Sequence, residues 1–484
     1  MLNRPVHMLA ALPLSLLLVA GAAAVGRDAA FGAASPRLGD CRLPDVPTPA
    51  RCGAFDVPEN PDRPDGRHLS IAVAVLPARR MPVRRDPIAF FSGGPGQAAI
   101  DSAADIGLDL AATFTDRDIL LIDQRGTGRS APLACTLHAA GDEAASLAHF
   151  LPPAAVARCR DELAARADLT QYSFARFADD VEHVRRALGY GRLNLYALSY
   201  GTRATQVYLH AYPDSVRTAY LGSVVPIDVP IPLPFARVSQ DVLDATIGAC
   251  ESDARCAAAF PALREETRQV FARLADGRVE VPVAGTERPV ALDAGRVAER
   301  LRFMMYSPAG AADVPWTIHR AHQGDWKPLV DGILESARGF DHQFSAGVFL
   351  SITCAEDVRY ITDAEVAAAT AHTWLGDYRV REQRAACAGW PQATLPPGYR
   401  APVVSSVPTL FVSGDVDPAT PKAFADRVAK GFARHADLVL RGQGHSGWTR
   451  CAASAHATLV RTGSVEAIDT TCPATPRPPF RISP

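Results

Sequence analysis

The chain has 484 residues, of which 48% are hydrophobic and 21% charged, with a formal net charge of -2. These proportions suit a globular protein with a sizeable core and exclude disordered, collagen-like and strongly nucleic-acid-attracting chains. The length leaves room for two or three folding units. Lysine occurs only at Lys327, Lys422 and Lys430, and the arginine excess goes with abundant alanine and proline, which makes it a compositional bias rather than a phosphate-reading code.

The first element is an address. Arg4 and His7 flank the start of an uncharged run from Met8 to Ala24, which closes on Ala22, Ala23 and Ala24 before Arg27 and Asp28. That order predicts a cleaved secretory signal at residues 1–24. The alternative is an uncleaved anchor, but the run is short for a bilayer of about 30 Å and contains Pro13. No later stretch reaches about 18 uncharged apolar residues, so a periplasmic or secreted chain without stable membrane association is expected. Ten cysteines and no CxxC motif favour disulfides in an exported protein. The simplest arrangement joins sequence neighbours: Cys41–Cys52, Cys135–Cys159, Cys250–Cys256, Cys354–Cys387 and Cys451–Cys472. Buried free thiols are the alternative for any one pair.

After a proline-rich entry, apolar runs predict strands at His68 to Leu76, Pro87 to Phe91 and Asp118 to Asp123. Phe174 to Leu188 has helical spacing and stops at Gly189. Leu193 to Leu198 reads as a strand, Tyr200 to Tyr212 as a helix, and Thr218 to Val225 as a strand again. Strands alternating with helices predict an α/β protein with a mostly parallel sheet. From 227 to 400 the pattern turns helical, with candidates at Val238 to Cys250, Ala262 to Leu274, Ala294 to Met305 and Ala364 to Trp374. Alternation resumes at Val407 to Ser413 and continues through Pro421 to Ala433, Ala436 to Leu440 and Ala452 to Arg461. A core of residues 25–226 and 401–484, interrupted by a helical insertion over 227–400, is therefore expected.

The chemistry gathers at three strand ends. Between the strand at Leu193 and the helix at Tyr200 stands Ala197-Leu198-Ser199-Tyr200-Gly201. A nucleophile elbow has this context and needs small residues two before and two after the serine. Alanine at the first position departs from the usual glycine by one methyl, and a serine in an ordinary βα turn is the alternative. A serine needs a histidine to take its proton and a carboxylate to orient that histidine. Downstream, one strand runs into Gly414-Asp415-Val416-Asp417-Pro418 and the next into Gly442-Gln443-Gly444-His445-Ser446, the order serine, acid, histidine. Spacing leaves Asp415 and Asp417 both open, with an N-cap and a solvated loop histidine as the alternative roles. Backbone donors for a developing oxyanion are expected from Tyr200, next to the serine, and from Gly94 in the loop Ser92-Gly93-Gly94-Pro95-Gly96.

GGPG after an early strand, DILLIDQRGTGRS, LYALSYGTR, GDVDPATP and GQGHS together resemble the proline iminopeptidase family of α/β-hydrolases. The likeness is closer to its exported tripeptidyl aminopeptidase-like branch and runs from about 80 to 475. The resemblance implies an α/β-hydrolase fold with a helical cap, a triad of Ser199, Asp417 and His445, and release of short N-terminal units from peptide substrates. It selects Asp417 over Asp415 through the Gly414, Asp417 and Thr420-Pro421 pattern. The family's oxyanion loop usually opens on His or Asn, where this chain has Ser92. Asp123, Arg125 and Ser130 match the family's DQRG-x-G-x-S stretch, with Asp123 and Arg125 read as an ion pair beneath the site. Glu356 and Asp357, where the chain leaves the insertion, are candidates to hold the substrate's ammonium, against the alternative of surface carboxylates paired with Arg359.

His319 and His322 lack acidic or cysteine partners at ligand spacing and read as surface residues. Gly126-Thr127-Gly128 lacks the context of a dinucleotide-binding turn. Neither cofactor nor metal is inferred, and no nucleic-acid partner. A carboxylesterase or amidase would use the same triad, and a non-catalytic binding protein on this fold would have lost a triad member.

Overall fold

In this computed structural model, residues 35–283, 288–445 and 449–483 are described; the expected signal at 1–24 and Ser446 lie outside them. Nine strands form one sheet: β1 (Ser35–Cys41), β2 (Ala50–Pro58), β3 (His68–Leu76), β4 (Arg84–Phe91), β5 (Arg117–Ile122), β6 (Leu193–Leu198), β7 (Val216–Gly222), β8 (Thr409–Gly414) and β9 (His435–Leu440). Their spatial order is β1-β2-β3-β5-β4-β6-β7-β8-β9. The pairs from β1 to β3, and β3 with β5, are antiparallel; every pair from β5 onward is parallel. Helices cover the parallel part, so β8 is buried at all six residues and reads as one apolar run, as a strand buried on both faces must.

The helices that matter for the site are α1 (Phe174–Ala187), α2 (Tyr200–Ala211), α3 (Phe235–Ser252), α4 (Ala294–Met304), α5 (Ala346–Glu356) and α6 (Tyr378–Cys387). Ser173 caps α1 by accepting from the Arg176 N–H, which satisfies an end donor the helix cannot pair itself. Proline follows α2 at Pro213 and cannot continue it.

The chain leaves the sheet after β7 and returns to it at β8. The intervening segment is helical apart from a short ladder of Glu280–Val281 with Val290–Ala291. Four of its helices match the expected ones within a few residues. The exception in length is the helix at Asp363, which ends at Thr370, four residues before Trp374. Further helices at Pro308–His322, Lys327–Gln343, α5 and α6, and strands β1 and β2 at the other end of the chain, are additions to the expected pattern.

The insertion is not a loose lid. The Ser345 N–H donates to the Gly96 carbonyl at 2.9 Å and the Gly347 N–H to the Leu133 carbonyl at 2.9 Å, so the start of α5 is bonded to the core on both sides. The five disulfides join the five pairs of sequence neighbours. Cys354–Cys387 ties α5 to α6, and Cys41–Cys52 ties β1 to β2.

Candidate active site

Neighbouring parallel strands bring the candidate residues to one end of the sheet. Leu198 of β6 pairs with Gly222 of β7, Gly222 with Val412 of β8, and Gly414 of β8 with Leu440 of β9. Ser199, Asp417 and His445 lie in the segments leaving the carboxyl ends of β6, β8 and β9, where open α/β sheets put their reactive groups.

Ser199 has φ 54° and ψ −128°, a conformation that costs a non-glycine residue on the order of 1–3 kcal/mol. The surroundings hold it there. Its N–H donates to the Gly222 carbonyl at 3.0 Å, and its carbonyl accepts from the Thr202 N–H at 2.9 Å and the Thr202 hydroxyl at 2.6 Å. Gly201 has no room for a side chain, because a Cβ there would stand 2.1 Å from the Phe91 carbonyl oxygen. Ala197 is fully buried, and its methyl packs into the core.

His445 and Asp417 are in direct contact. The imidazole Nδ1 lies 2.9 Å from Asp417 Oδ2 and 3.1 Å from Oδ1. Asp417 Oδ1 also accepts from the N–H groups of Ala419 and Thr420 at 2.8 and 2.9 Å, and Oδ2 from the Thr420 hydroxyl at 2.6 Å. Burial works to raise this carboxyl, but the imidazole and the Thr420 donors outweigh it and hold it below its ordinary value. Asp417 is therefore a buried, ionised carboxylate aimed at one ring nitrogen. Asp415 is not on the imidazole; its Oδ1 accepts from the Gly442 N–H at 2.7 Å.

The loop after β4 abuts the serine, since a Cβ on Gly93 would lie 3.1 Å from Ser199 Cβ. Gly94 sits at φ 118°, a conformation that glycine alone adopts readily. Ser92 closes this loop by donating its hydroxyl to the Gln97 carbonyl at 2.7 Å, so the loop is tied without the family's usual His or Asn. Tyr200 is the first residue of α2, where backbone N–H groups lack intrahelical partners.

Glu356 and Asp357 are neither free for a substrate ammonium nor surface partners of Arg359. Asp357 is fully buried. Its Oδ1 accepts from Arg203 Nη1 at 2.6 Å and the Ile231 N–H at 2.8 Å, and its Oδ2 from the Tyr200 hydroxyl at 3.1 Å. Arg203, also fully buried, takes up that charge and donates onward to the Pro226 and Val229 carbonyls. Glu356 accepts from the Phe174 N–H at 2.9 Å and the Tyr399 hydroxyl at 2.5 Å. Burial pushes its carboxyl up to about 7, against those two hydrogen bonds. The two carboxylates fasten the end of α5 to α1 and to the start of α2.

Asp123 and Arg125 do not pair with each other. Asp123 accepts from the Ile100 N–H at 2.8 Å and the Arg129 N–H at 2.9 Å, and burial pushes it up to about 7. Arg125 makes a buried two-pronged pair with Asp180 of α1, at 2.7 and 2.6 Å. The Ser130 hydroxyl donates to the Asp123 carbonyl and accepts from the Ala72 N–H, so this stretch is scaffold. His319 contacts Glu266 at 2.9 Å and His322 contacts Gln269 at 2.8 Å, which join two helices of the insertion.

Sequence reasoning missed three participants. Thr420, inside the GDVDPATP motif, braces Asp417; Arg203, four residues after Ser199, neutralises Asp357; Tyr306 of the insertion packs its ring on His445, centroids 4.7 Å apart. The first two stood in motifs already singled out. Tyr306 carried no signal, because its partner lies far along the chain.

The mostly parallel sheet, the strained serine before a helix and the carboxylate-bound histidine define a serine hydrolase of the α/β-hydrolase fold. Comparison with known proteins agrees: the family model described as alpha/beta hydrolase fold matches residues 86–246, and that described as TAP-like protein matches 372–472. The chain is 28% identical over 448 residues to the serine protease Hip1 of Mycobacterium tuberculosis, covering 80% of this chain and 82% of that one. It is 26% identical over 504 residues to the tripeptidyl aminopeptidase of Streptomyces lividans, covering 93% and 90%. Among solved structures, the proline iminopeptidase of Mycobacterium smegmatis is 15% identical, with a TM-score of 0.36 over 84% of this chain and 93% of that one.

Proposed function

We propose that the protein is an exported serine aminopeptidase that releases short N-terminal units, single amino acids to tripeptides, from peptides through an acyl-enzyme on Ser199. His445 Nε2 takes the Ser199 hydroxyl proton as Oγ attacks the scissile carbonyl carbon. Asp417 keeps the other ring nitrogen protonated and stabilises the imidazolium that forms. The carbonyl oxygen, now negative, accepts from the N–H groups of Tyr200 and Gly94. Collapse of this intermediate breaks the C–N bond, and His445 hands its proton to the departing amine. Water then attacks the acyl-enzyme with His445 again as base, which frees the N-terminal unit as a carboxylate and restores the serine.

The single observation that carries the reading is the 2.9 Å contact of His445 with Asp417, at the same carboxyl end of the sheet as the strained Ser199. The relatives named a serine protease and a tripeptidyl aminopeptidase favour peptide amides as substrates. Export is supported by the five disulfides and by the N-terminal run; among the described residues no helix is long and apolar enough to cross a membrane. Incubation with peptides of known sequence, followed by mass spectrometry, tests the reading. Sequential loss of short units from the amino end is expected. Intact peptides beside rapid hydrolysis of p-nitrophenyl esters would instead identify a carboxylesterase.

A further inference from the structure

We propose that Tyr306 is a positioning residue for His445, so that the helical insertion forms part of the proton-transfer apparatus. The proposal rests on His445 being the general base. Tyr306 follows α4 closely, and Met305 and Tyr306 grip the histidine loop at three points. The His445 N–H donates to the Tyr306 carbonyl at 2.8 Å. Gly444 lies so close that a Cβ there would be 2.5 Å from the Tyr306 carbonyl oxygen and 2.8 Å from that of Met305. The two rings meet with centroids 4.7 Å apart and planes at 45°.

Each contact removes a freedom that Asp417 leaves open. A carboxylate on Nδ1 fixes one atom of the imidazole, yet the ring can still swing about that atom and carry Nε2 away from the serine. A ring packed against the imidazole at this distance obstructs that swing.

Tyr306 is itself held. Its hydroxyl accepts from Arg302 Nη1 at 2.6 Å, and Arg302 is clamped by two bonds to Glu299 at 2.9 and 2.8 Å. The Arg302 guanidinium lies 4.3 Å over the Phe235 ring of α3, and Glu299 and Arg302 are both almost wholly buried. A chain of contacts, Glu299 to Arg302 to Tyr306 to His445, thus runs from the interior of the insertion to the candidate base.

The test compares the wild-type protein with Tyr306→Ala, Tyr306→Leu, Tyr306→Phe and His445→Gln. The first readout is the second-order rate of Ser199 modification by a fluorophosphonate, which needs the base but no peptide recognition. The second is kcat and KM on a chromogenic tripeptide amide. Losing the ring is expected to slow labelling and lower kcat by about tenfold or more, with KM within about threefold, while Tyr306→Phe stays within about twofold of wild type. Leu fills the space, so it keeps the test valid where Ala unfolds the insertion. Wild-type labelling in both ring-less variants, a loss confined to KM, or a Phe variant as slow as the ring-less ones would overturn the proposal. His445→Gln separates the two levels: if it keeps activity, the reading of His445 as base falls. If it is inactive while the Tyr306 variants behave as wild type, only the positioning role falls.

Discussion

The local energetics of the site are set by a few residues whose surroundings leave them one conformation or one protonation state. Ser199 keeps its strained φ of 54° because the Gly222 carbonyl and Thr202 pin both of its peptide groups. Ser199→Ala retains those backbone bonds, so it should fold normally and lose turnover by several orders of magnitude, since the triad acts as a unit. Active-site titration and thermal melting of the same sample check both halves. The two aspartates that follow the same strand, Asp415 and Asp417, should separate cleanly. Asp417→Asn donates rather than accepts toward Nδ1 and favours the wrong tautomer, and a fall in kcat of roughly 10⁴-fold is expected. Asp415→Asn keeps an oxygen for the Gly442 N–H and should cost activity less than about threefold. Similar losses for both variants would show that the carboxylate on the imidazole is not the one that matters.

At the scale of elements, the strands were the most legible part of the chain. β5 and β8 are buried on both faces, so apolar runs such as Ile119 to Ile122 announce them. β2 escaped notice because Arg51, Gly53 and Asp56 interrupt it, and an antiparallel strand near a sheet edge tolerates such residues. α5 escaped for the opposite reason: all eleven of its residues are buried, so it has no polar face and no helical periodicity to read. The partners of buried charges were not legible either. Arg125 finds Asp180 and Arg203 finds Asp357, 55 and 154 residues away, and no local spacing encodes such pairs. The serine, aspartate and histidine were legible because each sits in the segment that leaves the carboxyl end of a strand; the ammonium role expected of Glu356 and Asp357 had only resemblance behind it.

Glu356 at the end of α5 gives a pH test of this packing. Its carboxyl is raised from 4.5 to about 7 in the folded chain, so folding favours its protonated form. Wild type therefore loses stability as pH rises from the unfolded value through about 7, and below that window the carboxyl carries no penalty. Glu356→Gln keeps an acceptor and removes the ionisation. It should stabilise the protein by about 1–3 kcal/mol at pH 8, with the gain fading near pH 4.5. Denaturant melts at the two pH values check this; a loss of stability at pH 8 would mean that Glu356 is stabilised as an anion.

For the whole molecule, the insertion is bonded to the core around the site and braced within itself. The Cys354–Cys387 bridge joins α5 to α6 across 33 residues. Its removal by paired alanine substitutions should cost about 2–4 kcal/mol, the usual scale for a loop of this length. Chemical unfolding of the double variant beside wild type, both without reductant, checks the figure, and an unchanged midpoint would mean that the buried packing of α5 suffices. The proposed exopeptidase activity requires recognition of a free amino group, because a peptide lacking it has no defined first residue.

The central claim is release from a free amino terminus, and one comparison tests it most directly: kcat/KM of the purified protein on a tripeptide chromogenic amide against the same amide with its amino group acetylated. Loss of a desolvated charge contact is worth roughly 2–4 kcal/mol, so the free amine should be preferred by about thirtyfold or more. Equal rates on the two substrates, or a preference for the acetylated one, would contradict the account.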